Sequence, residues 1–350
     1  MQRERTTVVG GEALIDLVAD AAGAVQAHPG GGPYNVARTL GRLGQPAHYL
    51  GCLSDDRFGA LLRARLAADG VRLDTAVATT LPTTLALAEL DAGGAATYRF
   101  YSEGTAAPAL TPAAALAALP ERVDFLHVGT LGLVMQPTAR ALRAVVEAVA
   151  ARALVIVDPN CRPSFIADRA AYRAGLLELL ARAHVVKASA EDLAYLEPDA
   201  SPLDAARSLL AHGPRAVLVT LGGEGALVVT ATAQVAVAAP RVAVVDTIGA
   251  GDAFGGGFLT WWAEHGYARE QLADRDALVA ATGFACAVAA RTCERAGATP
   301  PRRAELGREW PGAAAAPPGA GAATPLRRGE LGSDRPGAAP ARRADGRAAE

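Results

Sequence analysis

The chain of 350 residues is short of several things, and each shortage removes a class of function. It has one lysine, Lys187. The phosphate-cradling loop G-x-x-x-x-G-K-[ST] needs a lysine directly after its glycines, and protein kinases need a strand lysine with H-R-D and D-F-G. Neither set exists here. Phosphate chemistry, if present, must run through backbone amides and a metal. The four cysteines, Cys52, Cys161, Cys286 and Cys293, form no C-x-x-C pair and no metal-ligand spacing. So few in so long a chain read as buried thiols of a reducing compartment. Charge of one sign is missing too: the net charge is -2, which excludes a general nucleic-acid binder. The opening "MQRERTTVVGGEALIDLV" is broken by Gly10, Gly11, Glu12 and Asp16, so it is neither a signal peptide nor a span. Without long apolar runs elsewhere, the expectation is a cytoplasmic protein with no membrane partner. Aromatics are scarce at 5%, while 51% of residues are apolar and alanine abounds, as in tightly packed helix-rich α/β proteins.

What is present alternates. Short β-rich runs occur at "TTVVGGE", "AHYLGCL", "DFLHVGT", "ALVIVDPN", "HVVKAS", "AVLVTLG" and "ALVVTA". Helical stretches fall between them at 33–44, 57–70, 136–151, 169–182, 190–196 and 203–212. Apolar strands alternating with helices predict a mainly parallel sheet covered on both faces, a three-layer α/β/α sandwich. One region breaks the rhythm. Residues 83–104, "TTLALAELDAGGAATYRFYSEG", carry extended runs around Asp91-Ala92-Gly93-Gly94, a hairpin signal. With strand material near 12–30, they predict a small β-sheet lid, or an antiparallel extension of the main sheet. After about residue 306 the composition turns to Pro, Gly, Ala and Arg. Residues 307–350 therefore read as a disordered tail on a domain spanning 1–306.

The chemistry concentrates in "VVDTIGAGDAFGGGFLTWW", residues 244–262. A helix N-terminus leaves its first N–H groups unpaired and partly positive, and G-A-G before it lets them converge on an anion. Asp252, in the first turn, is kept ionised by the same dipole and can take a proton from a hydroxyl. A glycine inside a helix costs about 1 kcal/mol; Gly255, Gly256 and Gly257 are expected to leave room for a ligand or strand. The plain alternative is a capped helix whose glycines serve packing.

"DTIGAGDAFGGGFL" resembles the C-terminal signature of the ribokinase-like (phosphofructokinase B) carbohydrate kinases, and "GGGPYNVARTLGRLG" (30–44) resembles their N-terminal one. "GEALIDLV", "GCLSDDRFG", "DPNCRP" and "VTLGGEGALVV" fall in the family's order, and "GEALID" with "DPNCRP" are most similar to the fructokinase branch. The resemblance covers roughly residues 7–306. It implies a general base at Asp252, near the ordinary carboxylate pKa of about 4, and an anion hole from Gly249, Ala250 and Gly251. It implies sugar contacts at Asp16, Gly31, Gly32 and Asn35, with Arg99 and Tyr101 on the lid and Arg162 nearby. On the nucleotide side it implies Lys187, Ser189, Thr220, Gly222 and Gly225, with the helix 277–293 walling the adenine. Asp192 stands where relatives carry a glutamate that organises Mg²⁺ through water, and aspartate shortens that reach. Asp246 would lie near a K⁺ site.

The resemblance thus implies an ATP- and Mg²⁺-dependent kinase acting on a primary hydroxyl of a sugar, fructose first. 2-Keto-3-deoxygluconate is the next acceptor, served by Arg99 and Arg162, with ribose and nucleosides behind. A catalytically silent sugar sensor is the non-enzymatic alternative, and the intact Asp252 and glycines speak against it. A lid with one apolar face further implies a homodimer.

Overall fold

The computed structural model describes residues 5–19, 24–90 and 96–307. The expected tail lies beyond residue 307, and the expected turn at 91–94 within 91–95, both outside the described residues.

The main sheet has eight strands in the order β14-β13-β12-β11-β10-β9-β1-β4. Six of them are parallel: β1 (Thr7–Gly10), β4 (Ala47–Leu50), β9 (Phe125–Gly129), β10 (Leu154–Asp158), β11 (Val185–Ser189) and β12 (Ala216–Thr220). β13 (Ala226–Thr230) and β14 (Gln234–Val237) close one edge antiparallel. A second sheet, β3-β2-β7-β8, is built from β2 (Leu14–Ala19), β3 (Val25–Gly30), β7 (Leu85–Leu90) and β8 (Ala96–Tyr101). β5 (Cys52–Ser54) and β6 (Val77–Thr79) form a short parallel pair.

The parallel strands are mostly apolar, with polar exceptions such as His127, Asp158 and Lys187, and alternation sends successive side chains to opposite faces. Leu126, Val128, Val155, Val157, Val186 and Val217 pack on one side. They meet α4 (Thr138–Val149), α5 (Arg169–Leu180), α6 (Ala190–Leu196) and α7 (Pro202–Leu210), with α3 (Pro112–Ala118) beside α4. Phe125, Ile156, Val185 and Leu218 face the other way. Their partners are α1 (Gly32–Arg42), α2 (Arg57–Ala68), α8 (Ala250–Glu264) and α9 (Arg275–Cys293). The result is the expected three-layer α/β/α sandwich with a separate four-stranded sheet. α9 is long and apolar enough to cross a membrane by length and composition, but most of it is buried against α8 and the sheet.

Helix ends follow local chemistry. Asp56, Thr111, Asp168, Ser189 and Ser201 each accept an amide of the first turn of their helix, the usual way of satisfying those orphan donors. α8 starts differently: Gly249 is left-handed at φ 77° and offers no side chain, so the entrance is bare peptide.

Two of the glycines inside α8, Gly256 and Gly257, make room for neighbouring helices rather than for a ligand or strand. A Cβ on Gly256 would lie 2.6 Å from Cβ of Thr39 in α1, and one on Gly257 about 3.0 Å from Val288 of α9. They bring three helices together, which corrects the expectation for 256–257; a Cβ on Gly255 would stand 3.4 Å from His127 Nε2 of β9, a strand side chain as the expectation allowed.

Candidate active site

Open α/β sheets bind ligands beyond the carboxyl ends of their strands. The candidate residues gather at the ends of β1, β9, β10, β11 and β12, under the small sheet. Asp252 is 7% exposed, and its Oδ2 accepts a 2.9 Å hydrogen bond from Nδ2 of Asn35, one turn into α1. The other Asn35 atom, Oδ1, is buried without a partner among the described residues. Burial lifts the Asp252 pKa above the ordinary range, opposed by the Asn35 hydrogen bond and by the charges of Lys187 and Arg162. This corrects the expectation of an ordinary aspartate: the group is a stronger base than its helix position alone predicts.

Asp16 arrives from β2. Burial, then the nearby Asp252 charge, push its pKa up to about 6, and Arg162 opposes them. The glycine run next to it has an unforeseen purpose. A Cβ on Gly30 would collide with Asp16 Oδ2, one on Gly31 would lie 2.6 Å from the Glu12 carbonyl oxygen, and one on Gly32 would strike Thr130 Oγ1. Gly31 also sits at φ 111°. Gly31 and Gly32 therefore admit the protein's own polar groups, and a Cβ on Gly32 would also stand 3.4 Å from Asp252 Oδ1. The Gly32 amide is already given to Glu12 Oε1 at 3.0 Å.

Register settles the lid residues. Asp16 pairs with Ala86, and Ala86 with Phe100, so these three share a face. Phe100 stacks edge-on against Phe165 at 5.2 Å, on the side of the strand ends. Arg99 and Tyr101 alternate onto the opposite face, where Tyr101 is 51% exposed. The expectation that they meet the sugar is corrected. Arg162 remains on the site side, exposed, with Nη1 donating to Asn160 Oδ1 at 2.6 Å.

On the nucleotide side Lys187 is buried. Its Nζ donates to Asp158 Oδ2 at 3.0 Å and lies 2.9 Å from where a Cβ on Gly251 would stand. Burial alone would lower its pKa, but the Asp158, Asp192 and Asp252 carboxylates outweigh that and raise it, so the ammonium stays charged under the α8 entrance. The Ala250 amide turns to the Thr247 carbonyl at 3.2 Å, which draws it away from an open cradle formed with Gly249 and Gly251. Ser189 and Asp192 form a capping box on α6, and the second Asp192 oxygen accepts the Cys161 amide at 2.6 Å. Asp246 accepts the amides of Ile248 and Gly297. Both acids thus pin loops. Among the described residues no three His, Cys, Asp or Glu side chains converge to hold a metal. Thr220 and Gly222 end β12 at the rim; Gly225, at φ 106°, abuts the Val237 backbone and shapes the β12–β13 turn.

Four residues at the centre escaped the sequence reading: Glu12, His127, Thr130 and Asp158. His127 is buried, with both ring nitrogens unpartnered among the described residues; burial, then the Lys187 charge, lower its pKa to about 3. Thr130 (φ 58°) and Asn160 (φ 37°) are the two non-glycine residues with positive φ among those described. They follow neighbouring strands and are joined by a 3.4 Å contact from Asn160 Nδ2 to Thr130 Oγ1. Asp158 and Asn160 lie in the quoted "DPNCRP", which was the available signal. Nothing local marks Thr130.

A buried carboxylate at a bare helix entrance, an amide gripping it and a second acid from a covering sheet define a site for activating a polyol against an anion. The model of the pfkB family carbohydrate kinases matches residues 5–305, and the chain belongs to that family. It is a sugar kinase, a phosphotransferase with an alcohol acceptor. The chain is 37% identical over 255 residues to a fructokinase of Rhizobium leguminosarum bv. trifolii, covering 71% of this chain and 77% of that one. It is 35% identical over 308 residues to fructokinase-1 of Oryza sativa subsp. japonica, covering 85% and 94%. The structure of a fructokinase with bound ATP from Xylella fastidiosa superposes with TM-score 0.79 at 29% identity, covering 87% of this chain and 98% of that one. A fructokinase from Vibrio cholerae O395 with fructose, ADP and calcium gives 0.75 at 27%, covering 86% and 97%.

Proposed function

We propose that the chain is an ATP-dependent fructokinase with Asp252 as general base. The observation that carries the mechanism is the Asp252 carboxylate, buried at the α8 entrance and held by Asn35. Asp252 takes the proton of the sugar's primary hydroxyl as that oxygen bonds to the γ-phosphorus and the bond to the β-phosphate bridge breaks. Asn35 keeps the accepting oxygen in place, and Asp16 accepts hydrogen bonds from neighbouring sugar hydroxyls. Charge developing on the transferred group faces the amides of the α8 first turn, with the Lys187 ammonium behind Gly251. Such transfer depends on positioning and electrostatics more than on strong base catalysis.

Mg²⁺ would come with the nucleotide and supply electrostatic stabilisation of its phosphates, while Asp192 and Asp246 also serve amides. Each of their oxygens keeps lone-pair capacity, so Asp192 through water and Asp246 beside a K⁺ stay within the proposal. Homodimerisation is proposed through the lid face opposite Asp16, which carries exposed Val25 and Tyr101.

The test is turnover of purified protein with Mg·ATP on fructose, ribose, 2-keto-3-deoxygluconate and adenosine. Highest kcat/KM on fructose is expected. Turnover confined to the keto acid overturns the fructose assignment, and no turnover on any acceptor overturns the kinase mechanism.

A further inference from the structure

We infer that Glu12 is a positioning residue for the sugar side of the site, its single carboxylate clamping the two backbone segments that carry the acceptor-side groups. The inference rests on the kinase reading above. Glu12 leaves β1 just after Gly11 and has 0% exposure. Its Oε1 accepts the Gly32 amide at 3.0 Å, and its Oε2 accepts the Gly132 amide at 2.8 Å.

Each bond governs a different wall. Gly32 opens α1, where first-turn amides lack intrahelical partners. Three residues on, Asn35 grips Asp252. Holding Gly32 therefore sets the helix phase that aims Asn35 at the base. Gly132 lies in the turn after β9 that begins with Thr130. A β-branched residue at φ 58° is a true backbone outlier, and such a conformation persists only where its surroundings over-determine it. The Glu12–Gly132 bond is one such constraint. Others are the hydroxyl of Thr130 set against Gly32 and the Asp158 backbone filling the space beside Gly129.

The residue type fits the task. A carboxylate offers two acceptor oxygens at fork spacing, and both donors are backbone N–H groups. Among the described residues no arginine or lysine pairs with Glu12, so the fold carries a buried acid without a counter-charge, which is costly. Burial, with the Asp252 charge adding to it, raises its pKa to about 8 even against its own amide and those of Gly132 and Gly32, so the ionised form that N–H donors on both oxygens call for is held at a cost near neutral pH. A residue kept for stability alone would be better apolar, and this cost points to placement of the site.

Glu12→Gln keeps the size but offers one acceptor oxygen; Glu12→Asp keeps the charge but is too short to reach both amides. Steady-state kinetics on whichever sugar the wild type turns over, with hydrogen exchange of peptides spanning 30–36 and 129–135, test the idea. KM for the sugar should rise about tenfold or more, with KM for ATP within twofold. Both peptides should exchange faster, while β11 and β12 stay protected. Kinetic constants within twofold of wild type, or loss of protection throughout the protein, overturn the clamp. If Glu12→Gln does not fold, Glu12→Asp carries the same test, and failure of both to fold makes Glu12 a general fold residue. An inactive wild type refutes the kinase reading instead, and the exchange comparison then still decides the clamp.

Discussion

A methyl group placed on Gly255 and one placed on Gly256, adjacent in α8, should move stability in opposite directions. Each substitution by alanine recovers about 1 kcal/mol of helix propensity. At Gly255 the nearest atoms to the new Cβ are His127 Nε2 at 3.4 Å and Val36 Cγ2 at 3.8 Å, which is ordinary contact. Gly255→Ala should therefore stabilise by about 0.5–1 kcal/mol. At Gly256 the Cβ would sit 2.6 Å from Thr39 Cβ and 2.7 Å from its Cγ2. Thr39 is fully buried, its hydroxyl donates to the Asn35 carbonyl at 2.8 Å, and rotation of its side chain leaves Cβ in place, so relief requires moving α1 against α8. Overpacking of this kind costs about 1–3 kcal/mol, and since no side-chain rotation relieves the clash the upper half of that range applies, so Gly256→Ala should be destabilised by about 1–2 kcal/mol net of the recovered propensity. The two variants should then differ by about 1.5–3 kcal/mol. Urea midpoints followed by the fluorescence of Trp261 and Trp262, both in α8, read the difference directly. Gly256→Ala should also lose turnover, because pushing α1 outward moves Asn35 relative to Asp252. Equal shifts in one direction for both variants would refute the packing explanation of the glycines.

Asp252→Asn should cut kcat by about 10²–10⁴ while calorimetry still detects sugar binding; full turnover in this variant removes Asp252 from the mechanism. The pH profile of kcat/KM should have an acid limb near pH 6, because Asp16 must ionise to accept hydroxyls and its pKa stands at about 6. The same shift means that the folded state holds this proton more tightly than the unfolded chain. The Asp16 contribution to stability is thus present below about pH 4 and is lost as pH rises through about 6. A limb near pH 4 contradicts the burial argument. Lys187→Met should destabilise by about 3–5 kcal/mol by leaving Asp158 buried and alone. Adding Asp158→Leu should restore part of that in thermal unfolding, and additive losses would dissolve the pair. Light scattering should return the mass of a dimer, and Tyr101→Arg should shift it toward monomer.

Much of the site could be read along the chain because its chemistry is local. A glycine-rich helix entrance with an acid in its first turn is a contiguous pattern, and Asp252 lies where that pattern puts it. The strands showed as apolar runs, and α6 was legible to the residue because its Ser189–Asp192 capping box is written in four consecutive letters. Other assignments depended on register and on contacts between distant segments. Alternation alone told that neighbours in β8 face opposite ways. Only the pairing of Asp16 with Ala86 and of Ala86 with Phe100 told which face meets the site, and it was not the face of Arg99 and Tyr101.

From its letters alone the chain determined an alternating α/β fold, a glycine-rich helix entrance without a Walker lysine, and the acid in the first turn of that helix, since each follows from spacing within one segment. Tertiary structure decided what the glycines are for, why Lys187 is buried with Asp158, and that Glu12 spans Gly32 and Gly132. Those facts arise where segments as far apart in the chain as α1 and α8 meet. A hydrogen bond or a missing Cβ has meaning only once its partner is known, and no single stretch of sequence contains both ends.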